Sequence, residues 1–81
     1  MMDKENIKQV VIETVASVLR QKDIVLDEHK TFGELGADEL DMFEFVLKIE
    51  DAFTLEISDD DTKKLVSIAE TVSYIAARKT I

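Results

Sequence analysis

Proline is absent from this chain, and its two glycines, Gly33 and Gly36, stand in one short segment. These are the two residue types that interrupt helices most strongly. Nothing outside that segment forbids helix, so the spacing of apolar residues decides where helices run. Asp3 can accept the free N–H groups of a helix start. After it, Ile7, Val10, Val11, Val15, Val18 and Leu19 recur at helical spacing. The pattern predicts a first helix from about Asp3 to Arg20. Residues 21–37 read as a long connection, unusual in a compact domain unless it is anchored. Ile24, Leu26, Phe32 and Leu35 can supply the anchors.

A second helix is expected from Asp38 to about Ala52. Asp38 suits the N-cap, Gly36 frees the backbone before it, and Asp41 completes a capping-box-like pair. A short third helix follows: Ser58 with Asp61 resembles a cap, and Asp59, Asp60 and Asp61 suit the positive end of a helix dipole. A fourth helix starts at Ser67, paired with Glu70 in a Ser-x-x-Glu box. Ile68, Val72, Ile75 and Ala76 form its inward stripe, and Arg78 and Lys79 lie at its negative end. No hairpin chemistry appears. The expected fold class is all-α: a four-helix bundle with three longer helices, one short helix and a long loop after the first.

The 81 residues suffice for one domain, spanning 1–81. Apolar residues make up 46% of the chain, enough for a packed core even with 35% charged residues. Cysteine is absent, which excludes disulfides, thiolate metal sites and a cysteine nucleophile. Eighteen acidic residues against ten basic ones give a net charge of −8. Such a surface repels nucleic acid and anionic lipid, and it steers the chain towards basic partners. No stretch is long and apolar enough to cross a membrane. Met1-Met2-Asp3-Lys4-Glu5 lacks the layout of a signal peptide, so a cytoplasmic location and a monomeric chain are expected.

The second helix is unusually rich in apolar residues: Leu40, Met42, Phe43, Phe45, Val46, Leu47 and Ile49. They occupy more than one face. The first reading is a central helix buried nearly all round. The other is that some of them form an exposed docking strip, rimmed by Asp38, Glu39, Asp41, Glu44, Glu50 and Asp51. An apolar strip edged with acid suits a partner with a greasy groove and basic margins.

The run Thr31-Phe32-Gly33-Glu34-Leu35-Gly36-Ala37-Asp38-Glu39-Leu40-Asp41 resembles the signature of acyl carrier proteins. In that family the core of the run reads Leu-Gly-Ala-Asp-Ser-Leu-Asp and is followed by a glutamate, which Glu44 answers here. Ile49-Glu50-Asp51-Ala52-Phe53-Thr54-Leu55-Glu56-Ile57 resembles the acidic stretch before the family's short third helix, with Ser58 where proline is common. The likeness spans nearly the whole chain. It implies a non-catalytic carrier of fatty acid, polyketide or related acyl metabolism. In the family the serine between that aspartate and leucine bears 4′-phosphopantetheine, attached from coenzyme A by a phosphopantetheinyl transferase. The second helix faces partner synthases and acyltransferases. The resemblance thus points to Asp38, Leu40, Asp41, Phe43, Glu44, Leu47 and Glu50 as partner-binding residues.

Glu39 occupies the serine's position. A carboxylate cannot form the phosphodiester that a hydroxyl forms, and Leu40 and Asp41 offer no hydroxyl either. Ser17, Ser58, Ser67 and Ser73 lie in other elements. No phosphopantetheine is expected on this chain. Three readings of Glu39 stand open. It can be a helix-starting residue at a site that has lost its chemistry, contributing about 0.3–1 kcal/mol with the dipole. It can be a permanent anion on a docking or regulatory paralogue. It can be a serine-to-glutamate change made in the laboratory.

Other candidate chemistry is weaker. Asp59-Asp60-Asp61 lacks the ligand alternation and glycine of a calcium loop, and no metal site is expected. His29 stands alone in the loop. Asp41 and Glu44 have no orienting group and read as surface charge. Tyr74 and the four phenylalanines read as core or loop anchors. No catalytic constellation is present.

Overall fold

A computed structural model describes residues 3–20 and 27–79. These form four α-helices: α1 Lys4–Leu19, α2 Glu39–Phe53, α3 Asp59–Thr62 and α4 Ile68–Lys79. No strand occurs among the described residues; there is one isolated bridge, between Thr31 and Ser67. The all-helical expectation holds, and the helix bounds fall within about a residue of those read from the sequence.

The caps explain those bounds. Asp3 accepts from the Asn6 N–H at 2.9 Å and starts α1. Arg20 ends it in the left-handed conformation, its N–H returning to the Ala16 carbonyl. Ser58 accepts from the Asp61 N–H at 3.1 Å to start α3. The Ser67 hydroxyl accepts from the Glu70 N–H at 3.2 Å where α4 begins. Each side-chain bond gives a partner to a donor that has none within the helix.

α1 packs against both α2 and α4. Its inward stripe is Ile7, Val11, Val15 and Val18, with Val10, Ile12 and Leu19 half-buried around it. Facing them are Phe45, Ile49 and Phe53 of α2 and Ile68, Val72, Ile75 and Ala76 of α4. Thr71 of α4 is also fully buried, and its hydroxyl donates to the Ser67 carbonyl at 2.8 Å. That bond removes most of the cost of burying a hydroxyl.

The connection after α1 is anchored at its second half. Phe32 is buried and its ring meets Phe45 at a centroid distance of 4.8 Å. The Phe32 N–H donates to the Val66 carbonyl at 2.8 Å, and the Ala69 N–H to the Glu28 carbonyl at 2.9 Å. Leu35 is half-buried against the core. The two other expected anchors, Ile24 and Leu26, lie outside the described residues. Lys8 of α1 pairs with Glu28 at the surface. His29 is exposed, as expected, with Nε2 at 3.6 Å from Glu28.

Candidate functional site

The segment before α2 is built by short-range hydrogen bonds. The Thr31 N–H donates to Glu34 Oε1 at 2.9 Å, and the Glu34 N–H donates to the Thr31 hydroxyl at 3.1 Å. The bond from the Thr31 N–H most of all, and then the Thr31 side chain, hold the Glu34 carboxyl below its usual range. The turn closes through the Ala37 N–H to the Phe32 carbonyl at 2.9 Å. Gly36 has φ +99°, a conformation that a side chain would strain. This glycine is therefore needed where the chain enters α2.

α2 then starts with a complete capping box. Asp38 Oδ1 accepts from the Asp41 N–H at 2.8 Å, and Asp41 Oδ2 accepts from the Asp38 N–H at 3.1 Å. Both carboxylates are thus occupied in holding the helix start. Glu39 is the first residue of the helix and is exposed.

Burial along α2 overturns the reading of a helix covered nearly all round. Leu40 is 74% exposed, Phe43 64% and Leu47 49%. Their i, i+3, i+7 spacing places them on one face. Phe45, Ile49 and Phe53 are buried on the opposite face. The helix needed only one of its apolar faces for the core, the side that packs against α1 and the Phe32 ring. Phe43 is accordingly neither core nor loop anchor, unlike Phe32, Phe45, Phe53 and Tyr74, which are buried. Glu44 and Asp51 are exposed near the outward strip, and Glu50 is half-buried.

Beside this strip lies a cavity of about 650 Å³. α2 lines it with Glu39, Met42, Phe43, Val46, Leu47 and Glu50. The far wall includes Ile57, Leu65 and Val66 and the α3 residues Asp59 and Thr62, with Lys63 just beyond. The Glu50 carboxylate accepts from the Ile57 N–H at 2.8 Å and ties that wall to α2. Glu39, Phe43, Leu47 and Glu50 are therefore brought together at one opening. Asp41 instead borders a small cleft with Val15, Val18 and Leu19 of α1. Val66, 47% exposed, extends the apolar surface across the opening. Its only sequence signal was an apolar pair, Leu65-Val66, following a very polar helix.

Asp61 was read simply as part of an acidic cap. Its backbone N–H does meet the Ser58 hydroxyl that caps α3, but its carboxylate accepts from the Tyr74 hydroxyl at 2.7 Å and from Arg78 at 3.1 Å, and it pairs with Lys64 at 3.1 Å. The Tyr74 hydroxyl is the main reason that its carboxyl sits below the ordinary range, with the Lys64 ammonium next. Burial, and then the bond to Asp61, raises the Tyr74 hydroxyl above its usual value. The Arg78 guanidinium stacks over the Tyr74 ring at 3.8 Å. α3 buries no residue of its own, so this cluster is a main tie between α3 and α4.

Comparisons with known proteins agree with this arrangement. A family model described as "Phosphopantetheine attachment site" matches residues 9–75. An acyl carrier protein of Campylobacter lari is 41% identical over 71 residues, covering 88% of each chain. One of Campylobacter fetus is 39% identical over 75 residues, covering 93% of this chain and 94% of the relative. A solution structure assigned to an acyl carrier protein of Anaplasma phagocytophilum superposes with a TM-score of 0.88 at 31% identity. That match covers 99% of this chain and 96% of the other.

Proposed function

Because the chain belongs to the phosphopantetheine attachment-site family, in which its relatives are acyl carrier proteins, we propose that it serves acyl-transfer enzymes as a docking protein without a phosphopantetheine arm. Carrier proteins of this family present acyl groups to enzymes and are not enzymes themselves. The finer reading rests on Glu39 at the first position of α2. The arm is held in the family by a phosphodiester to an alcohol oxygen, and a carboxylate has none to offer.

Neighbouring hydroxyls are poor substitutes. Thr31 and Thr62 border the same cavity. The Thr31 hydroxyl accepts from the Glu34 N–H, and the Thr62 hydroxyl donates to the Asp59 carbonyl at 2.6 Å. Both are engaged in holding local turns. The residues around position 39 therefore do not fit the arm, although the helix start that would present it is intact.

Docking is supported by the outward face of α2. Leu40, Phe43 and Leu47 supply apolar contact, and Glu39, Glu44 and Glu50 surround it with negative charge. Asp38 and Asp41 contribute field at the same end while their oxygens hold the capping box. A basic-surfaced synthase or acyltransferase is the complementary partner, and the chain acts on it as a competitor or regulator, its Glu39 standing as a fixed anion at the start of α2.

Incubation with coenzyme A and a promiscuous phosphopantetheinyl transferase tests the claim by intact mass. No mass gain is expected, and any gain would defeat it. The Glu39→Ser variant is expected to gain the arm. Binding to a basic-surfaced ketosynthase should weaken as salt rises; salt-independent binding would remove the acidic helix from the contact.

A further inference from the structure

The connection from α2 to α4 is fixed at two points and loosely held between them. Ile57 is 8% exposed, and its N–H donates to the Glu50 carboxylate at 2.8 Å. Leu65 is 1% exposed, and the Val66 carbonyl beside it accepts from the Phe32 N–H at 2.8 Å. Residues 58–64, which include α3, bury no side chain. Asp59, Thr62 and Lys63 of this stretch border the open cavity rather than packed core. Burial therefore does little to hold it in place.

Internal bonds keep the stretch in shape. The Thr62 N–H donates to the Ser58 carbonyl at 2.9 Å, the Thr62 hydroxyl donates to the Asp59 carbonyl at 2.6 Å, and Lys64 pairs with Asp61. The side-chain bonds that join it to the rest of the described chain run from one carboxylate, Asp61. That carboxylate accepts from the Tyr74 hydroxyl at 2.7 Å and from Arg78 at 3.1 Å. Both donors are well placed: Tyr74 is buried, and the Arg78 guanidinium rests on its ring at 3.8 Å. Bonds to an ionised acceptor are about twice as strong as neutral ones. One side chain can therefore hold a unit that apolar contact does not.

We propose that residues 58–64 form a strap latched to α4 through Asp61, and that freeing this carboxylate opens the strap while α1, α2 and α4 stay folded. Ile57 and Leu65 are the hinges, since both remain buried in the bundle. Opening moves Asp59 and Lys63 away from the cavity rim, so the latch sets the charge beside Phe43 and Leu47. The latch stands on contacts between α3 and α4 and holds whatever position 39 carries.

Amide hydrogen exchange of the full chain, followed by NMR in low concentrations of urea, tests the latch. The Thr62 and Lys64 N–H groups report the strap, and those of Ile49 and Ile75 report the long helices. Strap amides should exchange at rates that urea barely changes, because a local opening exposes little surface, whereas Ile49 and Ile75 should quicken with urea. Asp61→Asn is expected to speed strap exchange by about tenfold, and Tyr74→Phe, which keeps the ring and removes the donor, by about threefold. Ile49 and Ile75 should remain the better protected in both variants. Adding Tyr74→Phe to Asp61→Asn should change little further, since both break one contact. Asp60→Asn removes the same charge from an exposed position of α3 and should leave strap exchange as in the parent chain. Strap amides that share the urea dependence of Ile49 and Ile75 would overturn the proposal, because the strap would then open only with the whole bundle. Unchanged strap exchange in either Asp61→Asn or Tyr74→Phe would also overturn it, as would Asp60→Asn acting as strongly as Asp61→Asn.

Discussion

The two faces of α2 carry the same kinds of side chain and meet opposite fates. Phe45, Ile49 and Phe53 are 2%, 0% and 4% exposed, whereas Leu40, Phe43 and Leu47 are 74%, 64% and 49% exposed. One helix therefore does two jobs with one residue vocabulary: its inner face stabilises the bundle, and its outer face is left for recognition. Its carboxylates divide in a similar way. Asp38 and Asp41 close the helix start, and Glu39 and Glu44 point their charge at solvent.

The largest effect should come from the inner face. Ile49→Ala removes a fully buried side chain and is expected to cost about 2–5 kcal/mol in urea unfolding. Phe43→Ala, with a larger side chain lost, should change stability by about 0.5 kcal/mol or less. If the two variants destabilise equally, the division between faces fails. The outer face should instead show in binding. Phe43→Ala is expected to weaken a basic-surfaced acyl-transfer partner by about tenfold, measured by surface plasmon resonance. An unchanged affinity would move the contact off this strip.

Among the carboxylates, Asp38→Ala should cost about 1 kcal/mol through loss of the cap, and Glu44→Ala almost nothing. Thermal unfolding distinguishes them. The smallest effect concerns Asp61. Its folded-state pKa lies below the ordinary value of 3.8, so the stability it contributes is complete above that value and lost as pH falls through the lower one. Asp61→Asn is therefore expected to lower the urea midpoint near neutrality and to flatten the loss of stability on acidification. An acid limb as steep as that of the parent chain would show that other carboxylates dominate it.

Much of this was legible because the signals are local. Caps act over three residues, so Asp3, Asp38, Ser58 and Ser67 could be read along the chain. The positive φ of Gly36 sits where the sequence needed a turn. The run around Glu39 carried the family in consecutive residues. Two features were not legible. The Asp61 cluster joins residues 13 and 17 positions apart, a separation at which periodicity says nothing. The cavity needs α2, α3 and the segment around Val66 to stand at one distance, which only packing sets.

The sequence by itself determined where the helices start and stop, the acidic surface, and the carboxylate at position 39, because each follows from residue type and short-range spacing. It could not decide which apolar face of α2 would be covered. Both faces satisfy the same helical period, and burial depends on where α1 and the Phe32 segment come to lie. Tertiary packing settled that by closing over Phe45, Ile49 and Phe53 and leaving Leu40, Phe43 and Leu47 outside.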